Sequence, residues 1–265
     1  MAVNLIETWY IVLGIINLLL IVLSIILFFP KNFFRNKVGI FKSIQKNYFY
    51  IIIIAGVVIL HLIEVNLIDS YTTELVGYDF ANNIKDIEGD VVYLFSQFWT
   101  PILVYFFVLI YIAIYSFTLW FSPLYFLLTN NEKALKTLAY GLFLIYIIAL
   151  PFYLFLPITN VYTYYDASSA LETVIPSVES FFYSTTTQNN CLPSLHTAMT
   201  ILIAYSVSLT GNKKFTYFAY TIMILVIISV IYLSIHWLID VITGAVLSIG
   251  IILILRRYIR EETNE

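Results

Sequence analysis

Two short stretches carry side chains suited to handling a phosphate. The first is Asn189-Asn190-Cys191-Leu192-Pro193-Ser194-Leu195-His196, where a polar loop passes into an apolar run. Proline suits the first position of a helix, because its missing N–H is not needed there. A helix start presents free backbone N–H groups and about half a unit of positive charge, which together suit an anion. Ser194 adds a donor, and His196 falls within the first turn. Alone, this stretch also reads as a capped helix start. The second stretch sets His236 four residues before Asp240, a spacing that puts both on one face of a helix. An ionised aspartate inside a membrane helix costs about 2.5–3.5 kcal/mol on insertion scales, so it needs a partner. A carboxylate on one imidazole nitrogen fixes the tautomer and frees the other nitrogen as base or nucleophile. On spacing alone, a structural His–Asp pair is the alternative. Gly244, one turn further, lets a neighbouring helix come close.

The rest of the chain reads as the scaffold that positions these groups. Of its 265 residues, 61% are hydrophobic and 11% charged. Soluble domains carry about 25% charged residues. Long uncharged apolar runs recur, which predicts an all-α, polytopic membrane bundle. Seven spans of about 20 residues fit the pattern. They fall near 9–29, 48–68, 98–121, 138–156, 193–210, 215–233 and 236–255, with a break expected at Pro123. The chain reads as one membrane domain, 1–265. Residues 1–47 form an extra amino-terminal span and basic loop, and residues 48–260 form a six-span catalytic core. The amino terminus lacks the basic region of a secretory signal.

Alternating the loops puts all but Lys85 of the 13 Lys and Arg residues on one face. The positive-inside rule then predicts an outer amino terminus and a cytoplasmic carboxyl terminus in a cell membrane. The loop before Pro193 and the turn before His236 fall together on the outer face, so they can meet. No basic patch with interleaved aromatics is present, which argues against a nucleic-acid partner. The single cysteine, Cys191, excludes an intrachain disulfide and a cysteine-built metal site, and reads as a small apolar residue.

Taken together, the two stretches resemble the type 2 phosphatidic acid phosphatase superfamily of membrane lipid phosphatases. That family's second motif, P-S-G/L-H, is present as Pro193-Ser194-Leu195-His196. Its third, S-R-x5-H-x3-D, is met by Ser229, His236 and Asp240. Ile87-Glu88-Gly89-Asp90 and the aromatic helix after it look like the branch holding archaeal members and inositol-phosphate transferases acting on sphingolipids. The resemblance implies a six-helix phosphatase-type core and a phosphoric-ester hydrolase that uses neither metal nor cofactor. His236 would attack phosphorus to give a phosphohistidine, oriented by Asp240. His196 would protonate the leaving oxygen and then activate water or another acceptor. Ser194, with the backbone of Pro193 and Leu195, would hold the phosphoryl oxygens.

Two departures stand out. Val230 occupies the motif's arginine position. The first motif, K-x6-R-P, has no counterpart, since no Lys or Arg lies between Lys136 and Lys213; residues 157–160 are its degenerate remnant. Helix dipoles, Asn160, the tyrosines, a protonated His196 and Lys85 are the candidates to replace that charge, and Ser229, the serine of the third motif, is a candidate substrate-binding residue. His61 and Glu64, three apart in the second span, either line the substrate pocket or form a self-satisfied pair. The implied reaction is removal of phosphate from a lipid phosphate or pyrophosphate. Transfer of a phospho-headgroup, such as inositol phosphate, to a lipid alcohol is the alternative. A non-catalytic lipid-phosphate binder or transporter is the second.

Overall fold

The structure is a computed structural model that describes residues 5–30, 33, 40–174, 178–183 and 186–262. Lys31, Arg35 and Lys37 of the expected basic loop lie outside the described residues. The described chain is helical, with one isolated bridge pair between Ile158 and Asn190. In order come α1 (Leu5–Phe28), α2 (Ile40–Ile63), α3 (Asp69–Val76), α4 (Ala81–Glu88), α5 (Val91–Phe95), α6 (Pro101–Val108) and α7 (Tyr115–Leu128). Then come α8 (Glu132–Phe155), α9 (Val161–Tyr164), α10 (Ala170–Val174), α11 (Val178–Phe182), α12 (Leu195–Ser208), α13 (Lys213–Tyr232) and α14 (Leu238–Glu262). A π-helical turn at Glu64–Ile68 joins α2 to α3, and another at Leu109–Ile114 joins α6 to α7.

Among the described residues, six helices are long and apolar enough to cross a membrane. The expected fifth span is a shorter apolar helix, α12, of 14 residues. At 1.5 Å per residue it covers about 21 Å, less than a hydrocarbon core of about 30 Å. Its start is fixed at Ser194, and residues before it form a loop built into the protein. The expected break at Pro123 is absent, because α7 runs through it. Ser122 and Thr118 turn their hydroxyls back onto the carbonyls of Thr118 and Ile114, each at 2.7 Å. Proline is more frequent in membrane helices than in soluble ones.

The core lies where α7, α8, α12 and α13 cross, around Phe117, Phe126, Leu138, Leu202 and Phe215. Gly141 makes the α8–α12 contact close: a Cβ there would stand 2.5 Å from a Leu202 methyl. The α1 and α2 windows are only 11% buried, against 50% for the α6–α7 span. Ile52, Ile59 and Leu67 on that outer wall project away from the bundle, as lipid-facing residues do. At one end of the bundle, Lys46 pairs with Glu132 at 2.6 Å, and the Lys136 ammonium lies 5.5 Å from the Tyr258 ring centre. The opposite end carries the loops around 77–100 and 156–194 and the turn at 233–237. Those loops hold the site.

Candidate functional site

The α12 start is the first component. Ser194 is the N-cap, and its hydroxyl accepts from the Thr197 N–H at 3.4 Å. Pro193 therefore precedes the cap instead of taking the first helical position, which Leu195 fills. The reason is local: the Ser194 oxygen is what closes the first turn. The Pro193 carbonyl accepts from Tyr153 OH at 2.6 Å. Ser194 N–H donates to the Asp240 carbonyl at 2.9 Å. That backbone contact needs Gly244, since a Cβ there would stand 2.4 Å from the Ser194 oxygen. No acceptor among the described residues takes the N–H groups of Leu195 and His196. They are open donors beside the His196 ring.

The turn between α13 and α14 is the second component. Val230 O accepts from both Ile235 N at 3.0 Å and His236 N at 3.2 Å. Ser234 turns the chain with a left-handed backbone, φ 55°. His236 sits just before α14 and Asp240 in its first turn, so the two meet across a helix entry and not along a helix face. Asp240 Oδ2 accepts from Trp237 N at 2.8 Å and lies 3.4 Å from His236 Nδ1. One carboxylate thus caps the helix and orients the imidazole. Asp240 is fully buried, and its Oδ1 has no partner among the described residues.

The sequence reading missed a second cap. Glu88 accepts from Leu238 N at 3.1 Å and Ile239 N at 2.9 Å, one bond to each carboxylate oxygen. Burial pushes its carboxyl above the usual range, and the two N–H bonds pull it back. Trp237 is locked as well, donating from its indole to Thr159 O at 2.8 Å and packing edge-on against Tyr164. Tyr165 beside it hydrogen-bonds Asp90. The stretch Ile87-Glu88-Gly89-Asp90 therefore clamps the entry to α14.

The two components meet. The His196 and His236 ring centres are 5.8 Å apart. Tyr111, in the π turn, reaches the His196 ring with its hydroxyl at 3.1 Å from Nε2 and 3.3 Å from Nδ1. Tyr115 and Phe182 flank the same ring. Cys191 lies alongside: its Sγ and ligand atoms of His236 and Asp240 are all within 4.8 Å of one another.

The other expected site residues are placed as follows. Glu64 is fully buried and accepts from Asn190 Nδ2 at 2.7 Å and Tyr146 OH at 3.3 Å, with His61 Nδ1 at 3.7 Å. Asn189 Nδ2 reaches Thr73 Oγ1 at 2.8 Å and Asp69 Oδ1 at 3.4 Å. The long second span thus grips the loop that leads into Pro193, a role beyond both alternatives for His61 and Glu64. Residues 157–160 brace the same loop from the other side, with Ile158 N bonded to Asn189 O at 2.7 Å and Asn160 N to Gln188 O at 2.8 Å.

Asn160 caps α9 through Thr163 N and donates to Tyr183 OH at 2.9 Å. Tyr183 in turn bonds Tyr162, which donates to Glu179. Ser229 is buried and bonds its own helix at Val226 O, 2.7 Å away. Val230, in the arginine position, is fully buried among Val104, Tyr111 and Leu233. Lys85 is half-exposed on α4, one turn before Glu88. Beside the gripped loop, a cavity of about 300 Å³ is lined by Thr73, Tyr78, Asp79, Thr159 and Asn189. It adjoins the loop and does not lie between the histidines.

A family model described as the PAP2 superfamily matches residues 93–254, well over half of the 265-residue chain. The match takes in both histidines, Ser194, Asp240 and Tyr111, and leaves out Glu64 and Glu88. No curated protein and no solved structure matches the chain.

Proposed function

The chain belongs to the PAP2 superfamily, and on that premise we propose that it is an integral-membrane phosphatase that removes phosphate from a lipid phosphate or pyrophosphate. The observation that carries this reading is the pairing of two imidazoles 5.8 Å apart, one of them backed by a buried aspartate at 3.4 Å. With Nδ1 turned to Asp240, His236 presents Nε2 to the substrate. That nitrogen attacks phosphorus, the bond to the leaving oxygen breaks, and a phosphohistidine forms. Protonated His196, steadied by the Tyr111 hydroxyl, gives its proton to the leaving oxygen. Neutral again, it takes a proton from water, which attacks the phosphohistidine and frees phosphate and His236. The open N–H groups of Leu195 and His196 and the α12 dipole hold the phosphoryl oxygens where an arginine would otherwise stand.

The basic end of the bundle faces the cytoplasm and the site faces the outer leaflet. Residues 48–260 supply every group named in the mechanism. Transfer to an alcohol is the second reading, favoured by the cavity beside the loop, where the hydroxyls of Thr73, Tyr78 and Thr159 and the Asp79 carboxylate suit a polyol acceptor.

The test is phosphate release from defined lipid phosphates by purified protein in the presence of a chelator. Release is expected, and it is expected to fall by about 10³-fold or more in His196→Ala. An absolute requirement for Mg²⁺ would overturn the scheme. A new phosphodiester in place of free phosphate would establish transfer.

A further inference from the structure

We propose that Cys191, His236 and Asp240 form an inhibitory site for a soft divalent transition-metal ion such as zinc, which silences the protein by occupying the imidazole and carboxylate that turnover needs. The three side chains come from the loop before α12, the turn before α14 and the first turn of α14. Sequence separation hides them from one another, but the fold brings one ligand atom of each within 4.8 Å of the others. Ligand atoms around tetrahedral zinc lie about 3.3–3.6 Å apart, from bond lengths of about 2.0–2.3 Å. Closure onto an ion therefore asks only for side-chain shifts of about 1 Å. Thiolate, imidazole and carboxylate are the donor set zinc takes, and the thiolate argues against Mg²⁺ or Ca²⁺.

Two further observations point to a ligand. Asp240 is fully buried and keeps an oxygen, Oδ1, with no partner among the described residues. Cys191 is 3% exposed, and its thiol has only weak hydrogen bonds to carbonyls, Gln188 O at 3.7 Å and Ile235 O at 3.8 Å, which a metal bond would replace. The proposed mechanism gives this thiol no task. On binding, the Sγ–metal bond replaces the S–H bond and the proton leaves to solvent. A fourth position stays open for water or a phosphate oxygen. The metal is an inhibitor here, because it ties up the nitrogen-bearing ring and the aspartate that the phosphoryl transfer uses.

The probe is Co²⁺, titrated into the purified full-length protein under reducing conditions. One equivalent is expected to give a thiolate-to-cobalt charge-transfer band that Zn²⁺ displaces. Cys191 is the sole cysteine, so such a band reports this residue alone. The band is expected to vanish in Cys191→Ser and Cys191→Ala, and to need about tenfold or more cobalt in Asp240→Asn. In the phosphate-release assay run without chelator, zinc is expected to inhibit, and Cys191→Ser to raise the inhibiting concentration by about tenfold or more. No band in the wild-type protein, or a band unaltered in both Asp240→Asn and His236→Ala, would overturn the proposal. If the wild-type protein released no phosphate, the phosphatase reading would fail while the cobalt titration still decided the metal site.

Discussion

Asp240 bears two loads at once. Its Oδ2 caps α14 through Trp237 N and orients His236. Asparagine can keep the cap but not the charge behind the imidazole. Asp240→Asn is therefore expected to lower kcat by about 10³–10⁴-fold with little change in KM, as for a buried aspartate behind a catalytic histidine. An equal loss through KM alone would show that Asp240 serves binding. Tyr111→Phe removes one hydroxyl from the His196 ring and is expected to cut kcat by about five- to tenfold, the worth of about 1 kcal/mol. An unchanged rate would leave Tyr111 as packing. At this scale the sequence was partly legible. His196 and His236 are two of only three histidines, and Ser194 and Asp240 stand at telling spacings beside them. Tyr111 is one of 22 tyrosines in an aromatic-rich membrane chain, so its type carries no signal. Glu64 was visible as a costly buried charge, but its partner Asn190 is 126 residues away and only folding identifies it.

At the scale of elements, the site depends on how two helix entries touch. Gly244 is the contact point, and a Cβ there meets backbone and not a movable side chain. Gly244→Ala is expected to destabilise the protein by about 1–3 kcal/mol and to lower kcat, read by thermal unfolding in detergent and by turnover. Wild-type values for both would refute the close approach. Glu88 caps α14 from a separate helix. Glu88→Ala is expected to cost about 1–2 kcal/mol and to weaken kcat, while Glu88→Gln, with one acceptor oxygen in place of two, falls between. A null effect on kcat with a stability loss would make the cap structural only. Span positions were readable from hydropathy, because a membrane helix needs a long apolar run. The entries were not. Pro193 suggested a helix start two residues early, since the start is set by the Ser194 oxygen that reaches the Thr197 N–H. Pro123 suggested a break, but the helix runs through it. The His–Asp spacing suggested a shared helix face, where the chain instead places the histidine on the turn.

Across the whole molecule, chemistry and charge are segregated. The long second span, the 156–194 loop and the turn before α14 converge at one end, and Lys46, Lys136 and Glu132 mark the other. The alternation of loops in the sequence anticipated this, because basic residues recur in every second loop. What it could not show is the mutual support: α2 and α3 hold Asn189 and Asn190, α4 holds α14, and α14 holds the α12 cap. The single native cysteine is buried, so orientation is open to labelling of introduced cysteines in a Cys191→Ser background. Lys85→Cys is expected to react with a membrane-impermeant maleimide on intact cells, and Lys214→Cys only after permeabilisation. The reverse pattern would invert the topology.

The central claim is that the pair of imidazoles performs phosphoryl transfer through His236. Its most direct test is to quench the purified protein during turnover of a radiolabelled lipid phosphate and look for an acid-labile phosphohistidine. Label is expected on His236 in the wild-type protein, lost in His236→Ala, and retained for longer in His196→Ala, where the water step is slowed. Full phosphate release by His236→Ala, or label that persists in it, would contradict the account.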